Sequence, residues 1–143
     1  MENGEKIVVD ASVVAKWFLR EVHSEKADAM RLDYVNGLVD LAAPDLLPYE
    51  VLNALRYNQD FGKADLEKIA DSIKGYQLHL VPIKRRSVGL AYEYGISVYD
   101  ASYVALANEL GVELYTADSK LIRRLDGFIS AKHLSEYGPK SPR

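Results

Sequence analysis

Short apolar runs alternate with segments of helical periodicity along almost the whole chain, and this alternation most constrains its fold. The first run, Lys6 to Asp10, is apolar and β-branched at its centre, which is typical of a strand buried on both faces. Further strands are predicted at residues 41–43, 77–82, 112–115 and 128–130, and helices after Asp10, at 24–37, from Pro48 onward, and at 64–73, 84–94, 97–110 and 119–125. This order predicts a three-layer α/β/α domain with a central, mainly parallel sheet.

The length and composition of the chain fit one globular domain. Its 143 residues, 48% hydrophobic and 27% charged, suffice for one sizeable core. We expect a domain over residues 1–137 and a loose, proline-containing tail over 138–143. The lack of cysteine excludes disulfides, thiolate zinc sites and a cysteine nucleophile. With an acidic N-terminus and no apolar run of membrane-spanning length, the sequence predicts a cytoplasmic protein without a membrane segment.

Four acidic residues stand where a parallel sheet would bring them together. Asp10 leaves the first strand, and Asp118 follows the exit of the strand at 112–115. Glu50 and Asp100 fall in the first turns of helices that can run back from the same edge. Because ligands bind at the carboxyl ends of parallel strands, we expect these four carboxylates to share one site.

Each of these acids also has a local explanation as a helix cap. The segment around Ser97 predicts an amphipathic helix, in which Ser97-x-x-Asp100 resembles a capping box and the apolar positions are Val98, Ala101, Ala105 and Leu106. Serine, threonine or asparagine would cap equally well, however, and gathered carboxylates repel and raise each other's pKa. A divalent cation turns that repulsion into coordination, since hard cations take oxygen ligands.

Four segments of the chain together resemble the PIN-domain ribonucleases, and most closely the VapC-type toxins of toxin–antitoxin pairs. They occur in the order and spacing of that family and cover residues 7–18, 44–56, 99–107 and 114–121. The resemblance implies a divalent-metal-dependent endoribonuclease that uses Mg²⁺ or Mn²⁺ to hydrolyse RNA phosphodiester bonds. It also implies an antitoxin protein as partner and a homodimer.

The resemblance assigns roles to particular residues of this chain. The catalytic and metal-binding acids of the family fall on Asp10, Glu50, Asp100 and Asp118, with supporting roles for Ser12, Asn53 and Thr116. Asp10 and Asp100 are the expected direct ligands of the metal. Asp118 and Glu50 are expected to orient water or to bind a second ion.

Basic and aromatic residues are weaker candidates for contacts with RNA. The net charge is −3, but basic residues are grouped locally, and a local patch can supply phosphate contacts. The candidates for phosphate contacts are Lys16, Arg20, Lys120 and Arg123. Tyr99 and Trp17 are candidates for stacking on bases, with packing in the core as the alternative for both.

Other functions remain open at the level of sequence. A PIN-type nuclease of RNA processing would carry the same acids, and a non-catalytic binding module would lack metal binding. A phosphoacceptor signalling module also gathers acids and Mg²⁺ at this edge of a sheet, but here Val9 precedes Asp10 where an acidic pair is expected. The histidines, His23, His79 and His133, have no metal-ligand spacing, and the chain has no phosphate-binding glycine loop and no G-x-S-x-G elbow.

Overall fold

A computed structural model describes residues 4–127 and 131–140 of the chain. The strands are β1 (Glu5–Val9), β2 (Val39–Pro44), β3 (His79–Val81), β4 (Leu114–Thr116) and β5 (Ala131–His133). The helices are α1 (Ala11–Ala15), α2 (Ser24–Val35), α3 (Leu47–Arg56), α4 (Lys63–Tyr76), α5 (Arg86–Tyr94), α6 (Val98–Leu110) and α7 (Ser119–Arg124), and a short 3-10 helix covers Leu134–Glu136. None of the helices in the described ranges is long and apolar enough to cross a membrane.

The strands form one parallel sheet in the order β3-β2-β1-β4-β5. Strand β1 lies at the centre, where Val8 is in register with Ala42 of β2 on one side and Leu114 of β4 on the other. Helices cover both faces of the sheet, so the predicted three-layer α/β/α fold is confirmed. Because every strand runs in the same direction, the segments that follow β1, β2 and β4 leave the sheet at one edge.

The core lies on both sides of the central strand. Ile7, Val8 and Val9 are at most 1% exposed, as the continuous apolar run predicts. Helix α6 differs from its predicted amphipathic character, because Ala101 to Ala107 are all buried. This helix packs against β1, β2 and β4 on one side and α5 on another, so its middle turns have no solvent face.

Several predicted boundaries move by a few residues. Helix α4 continues through Gly75 to Tyr76, and Gln77 rather than the glycine takes the left-handed conformation that ends it, with φ of 56°. Helix α5 begins at Arg86, two residues later than predicted, and ends at Gly95 as expected. The strand predicted at 128–130 lies outside the described residues, and the residues that follow it, Ala131–His133, form the edge strand β5.

The described part of the predicted tail is bonded to helix α2. The Lys140 backbone N–H donates to Asp33 Oδ2 at 2.7 Å, and the Tyr137 hydroxyl donates to the same oxygen. Lys26 Nζ donates to the Tyr137 carbonyl at 2.9 Å. We call Asp33, Tyr137 and Lys140 the C-terminal clasp. The domain limit at residue 137 stays a prediction.

Candidate active site

A small pocket lies at the edge of the sheet where β1 and β4 end. Its volume is about 250 Å³, and all four acids singled out in the sequence line it together with a few neutral residues. The lining residues are Asp10, Ala11, Ser12, Ala15, Glu50, Ala54, Asp100, Tyr103 and Asp118. We call this the acidic pocket. Segments separated by up to 108 positions in the sequence, from Asp10 to Asp118, therefore meet here.

Larger hollows elsewhere on the surface lack this chemistry. One of about 590 Å³ lies beside α3 and α4 with mostly apolar walls, and one of about 480 Å³ lies at the start of β1 and β2. Size alone would favour either of them. The four carboxylates in the smaller pocket are the stronger indication of a functional site, because holding like charges close together costs free energy.

Asp10 is the most buried acid of the pocket, with 6% of its surface exposed. Its Oδ1 caps α1 by accepting the Ser12 backbone N–H at 3.0 Å, and it also accepts the Ser12 hydroxyl. Burial raises the pKa of Asp10 from 3.8 to about 6, against hydrogen bonds from Ser12 and Thr116 that lower it. The negative charge of Asp100 also contributes to this raised value.

The two predicted hydroxyl residues join the loops that follow β1 and β4. Ser12 Oγ accepts the Ala117 backbone N–H at 2.9 Å, although the two residues are 105 positions apart. The Thr116 hydroxyl is fully buried and accepts the Asp118 backbone N–H at 3.0 Å. Ser12 and Thr116 therefore fix the positions of the loops that carry Asp10 and Asp118.

Asp100 lies in the first turn of α6, half-buried in the acidic pocket. Ser97 is the N-cap, as predicted, and its hydroxyl accepts the Asp100 backbone N–H at 2.9 Å. Burial and then the charge of Asp118 raise the pKa of Asp100, while a hydrogen bond from Ser97 lowers it. Because the charge of Asp100 also acts on Asp10 and Glu50, this residue is the electrostatic centre of the pocket.

Glu50 lies in the first turn of α3, and its carboxylate is hydrogen-bonded rather than free. The hydroxyl of Tyr103 donates to Glu50 Oε1 at 2.7 Å. Burial raises the pKa of Glu50, the Tyr103 hydrogen bond lowers it, and the charge of Asp100 raises it. The sequence prediction missed Tyr103. Its position three residues after Asp100, on the same side of a helix, is the signal that could have found it.

Asp118 is the most exposed of the four acids and caps α7, as predicted. Its Oδ1 accepts the backbone N–H groups of Lys120 at 2.9 Å and of Leu121 at 3.3 Å. The local capping explanation therefore holds for Asp118 as it does for Asp10. Capping and membership of the acidic pocket are compatible in both residues, because the same side chain does both.

One predicted supporting residue does not line the pocket. Asn53 is exposed, and Ala54, one turn after Glu50 on α3, is the residue that lines it. In a helix, the residues three and four positions after Glu50 lie on opposite flanks of it. The sequence alone could therefore not choose between Asn53 and Ala54.

The predicted phosphate contacts divide into paired and exposed side chains. Lys16 Nζ lies 2.7 Å from Glu21 Oε1, and Arg20 lies 2.8 Å from Asp28 Oδ2, so both cations already have carboxylate partners. Lys120 and Arg123 are exposed on α7. Lys120 and Arg123 therefore stay the better candidates for phosphate contacts.

The two aromatic candidates also divide. Trp17 is 8% exposed and packs edge-on against Tyr76, with ring centroids 5.0 Å apart, so packing is its role. Tyr99 is 62% exposed at the start of α6 and remains accessible. Two of the three histidines, His23 and His133, are far apart in the sequence but in contact in the fold. Their ring centroids are 5.5 Å apart.

The four acids form a shared pocket without forming a ready-made metal cage. Within residues 4–127 and 131–140, no group of three or more histidine, aspartate or glutamate side chains is close enough to hold a metal ion as it stands. The donors are nevertheless carboxylate oxygens, which hard divalent cations prefer. Mg²⁺ in particular is commonly held by one or two carboxylates together with water and substrate phosphates. The donor set therefore fits such a cation.

Known proteins resemble this chain in sequence and in fold. A family model described as the PIN domain matches residues 7–127. Ribonuclease VapC3 of Pyrobaculum aerophilum is 32% identical over 133 residues, which cover 87% of this chain and 98% of that protein.

Solved structures share the fold at lower identity. The crystal structure of PAE2754 from Pyrobaculum aerophilum has a TM-score of 0.65 at 22% identity and covers 92% of both chains. A chain of a toxin–antitoxin complex from Klebsiella pneumoniae has a TM-score of 0.65 at 18% identity, with 92% of this chain and 99% of that chain covered. The match of the family model to residues 7–127 and the 32% identity to Ribonuclease VapC3 show that this chain belongs to the PIN domain family.

Proposed function

We propose that this protein is a divalent-metal-dependent endoribonuclease that hydrolyses RNA phosphodiester bonds and acts as the toxin of a toxin–antitoxin pair. The observation that carries the proposal is the convergence of Asp10, Glu50, Asp100 and Asp118 on one pocket at the carboxyl ends of the strands. The relative named Ribonuclease VapC3 supports the ribonuclease activity, since it matches nearly the whole chain.

Asp10 and Asp100 would hold the metal, with Glu50 and Asp118 at its periphery. Bound there, Mg²⁺ or Mn²⁺ would lower the pKa of water and neutralise charge on the phosphate. The chain's own residues prepare this site in advance. Ser12 fixes the Asp10 carboxylate, and burial of Asp10 among like charges makes its ionised form depend on a nearby cation.

The proposed partners are an RNA substrate, an antitoxin and a second copy of the chain. A chain of similar fold was solved as part of a toxin–antitoxin complex, which supports an antitoxin partner here. The homodimer and the cytoplasmic location stay predictions from the sequence. The same acidic pocket would serve an RNA-processing nuclease, so the toxin role needs a test of its own.

Cleavage of structured RNA by metal-stripped protein tests the activity. We expect cleavage when Mn²⁺ is added, and a loss of about 100-fold or more in the Asp100→Asn variant. Cleavage that is indifferent to both the metal and the substitution would not come from the acidic pocket, and it would refute the proposal, as would no cleavage with Mn²⁺ present.

Growth of the producing cells tests the toxin role. Production of the wild-type protein should arrest growth, and co-production of the protein from the neighbouring gene should relieve the arrest. Asp100→Asn should be harmless. Metal-dependent cleavage without any growth arrest would instead favour a nuclease of RNA processing.

A further inference from the structure

The hydroxyl of Tyr103 lies among three of the four carboxylates of the acidic pocket. It donates to Glu50 Oε1 at 2.7 Å and receives a hydrogen bond from the backbone of Ala11, which directly follows Asp10. Tyr103 also follows Asp100 by about one turn of α6. One neutral donor thus connects α3, α6 and the segment after β1 at the place where the negative charges meet.

The ring of Tyr103 is held more rigidly than the group it contacts. Tyr103 is 1% exposed and belongs to the run Ala101–Ala107 that is buried on all sides. Glu50 is only half-buried, on a side chain with several rotatable bonds. In the described part of the chain, we find no second hydrogen-bond donor to the Glu50 carboxylate. Its orientation therefore depends on the Tyr103 hydroxyl.

We infer that Tyr103 is a positioning residue, which holds Glu50 in the orientation that a divalent cation in the acidic pocket requires. The inference rests on the proposed metal-dependent function, because it assigns Glu50 to the surroundings of that cation. Since the hydroxyl occupies Oε1, the second oxygen of Glu50 is the one left to face a cation or its bound water. Groups that orient metal-site carboxylates in this way commonly matter nearly as much as the ligands themselves.

The test removes the hydroxyl and keeps the ring. Mn²⁺ binding to metal-stripped Tyr103→Phe is measured by titration calorimetry, and RNA cleavage is measured in parallel. We expect the affinity for Mn²⁺ to fall about 10-fold and the cleavage rate to fall by a similar factor. The melting temperature without metal should stay close to that of the wild type, because the ring still fills the core and the half-buried Glu50 carboxylate can bind water in place of the hydroxyl.

Tyr137→Phe is the matched control. Its hydroxyl also donates to a buried carboxylate, that of Asp33, but neither residue lines the acidic pocket. This variant should lose stability without any change in Mn²⁺ affinity. If both variants lowered Mn²⁺ affinity in proportion to their loss of stability, Tyr103 would have a general structural role and the inference would be wrong.

A double variant separates positioning from independent effects. If Tyr103 acts through Glu50, then Tyr103→Phe should cause no further loss of Mn²⁺ affinity in a Glu50→Ala background. A full additional loss there would overturn the inference, and so would unchanged affinity in Tyr103→Phe when wild-type protein binds Mn²⁺ and cleaves RNA. If the wild-type protein neither binds Mn²⁺ nor cleaves RNA, the proposed function fails and this inference fails with it.

Discussion

Two buried aspartates, Asp33 and Asp10, both accept hydrogen bonds, but they differ in the residues that surround them. Asp33 is 2% exposed and Asp10 is 6% exposed, so both carboxylates are removed from water. Asp33 is held by Tyr137 and Lys140, more than 100 positions away, and it ties the end of the chain to α2. Asp10 is held by Ser12, two positions away, and shares its pocket with further carboxylates.

The difference shows that burial and hydrogen bonding do not by themselves distinguish a structural acid from one that we propose to bind a metal. The donors of Asp33 join distant segments, which is what a structural contact does. Asp10 has a local donor in Ser12 and a distant one in Thr116, but the other distant residues brought to it, Glu50, Asp100 and Asp118, carry the same charge. Like charges gathered at one place repel each other. Their gathering therefore indicates a cation-binding role rather than a structural one.

The largest effect should come from breaking the C-terminal clasp. Asp33→Ala leaves Tyr137 and Lys140 without their shared acceptor, and we expect the free energy of unfolding to fall by about 3 to 4 kcal/mol, since each hydrogen bond to a charged group contributes about 1.5–3 kcal/mol. Urea denaturation measures this. RNA cleavage at a temperature where the variant stays folded should be unchanged.

Asp28→Ala is the control for that variant. Asp28 lies on the same helix but pairs with Arg20 at the surface, so its loss should cost less than about 1 kcal/mol. Equal destabilisation by the two variants would contradict the role that we give to the C-terminal clasp.

A second prediction concerns the pH dependence that Asp10 imposes on the metal-free protein. Its pKa is raised from 3.8 to about 6 on folding, so the folded state binds more protons than the unfolded state between these values. The free energy of unfolding should therefore fall as pH rises through this window, by up to about 3 kcal/mol at 1.36 kcal/mol per pKa unit.

Asp10→Asn should remove that part of the pH dependence. At about pH 7.5 the variant should be more stable than metal-free wild type, and the difference should shrink as pH falls toward about 4. Denaturation at a series of pH values measures it. A variant that is less stable than wild type across the whole range would place Asp10 with Asp33 among the structural acids.

A third prediction uses the cation to separate the two sites. At about 100 times its Kd, Mn²⁺ should stabilise the wild type by about 2.7 kcal/mol, because it binds the folded state alone. Asp33→Ala should gain as much, since the acidic pocket is intact in it. Asp100→Asn should gain little. Thermal melting with and without Mn²⁺ measures these shifts, and equal gains in all proteins would mean that the ion binds elsewhere.

The smallest effect concerns the basic residues near the pocket. In an Asp100→Asn background that does not cleave, Lys120→Ala should weaken RNA binding by a few fold and reduce the salt dependence by about one phosphate contact. Lys16→Ala should change binding less, because Lys16 is paired with Glu21. Binding measured over a range of salt concentrations tests this. A larger effect of Lys16→Ala than of Lys120→Ala would mean that the RNA binds on the Lys16 side of the pocket.

Much of the acidic pocket was predictable because its members follow local rules. Asp10 and Asp118 stand at strand exits and cap the helices that follow, and Ser97 begins α6, so each position could be assigned from its neighbours in the sequence. The edge at which they meet then follows from parallel strands. The contact between Tyr103 and Glu50 could not be predicted in this way, because 53 positions separate the two residues.

By itself, the sequence determined the alternation of strands and helices, the fold class and the four acids, since these depend on periodicity, capping and order along the chain. Only the tertiary structure decided the order of the strands, the burial of α6 on all sides, the choice of Ala54 over Asn53 and the C-terminal clasp. The physical reason is that each of these features depends on which surfaces pack together. Packing brings together residues that are distant along the chain, and a local sequence pattern does not identify the residue with which each one packs.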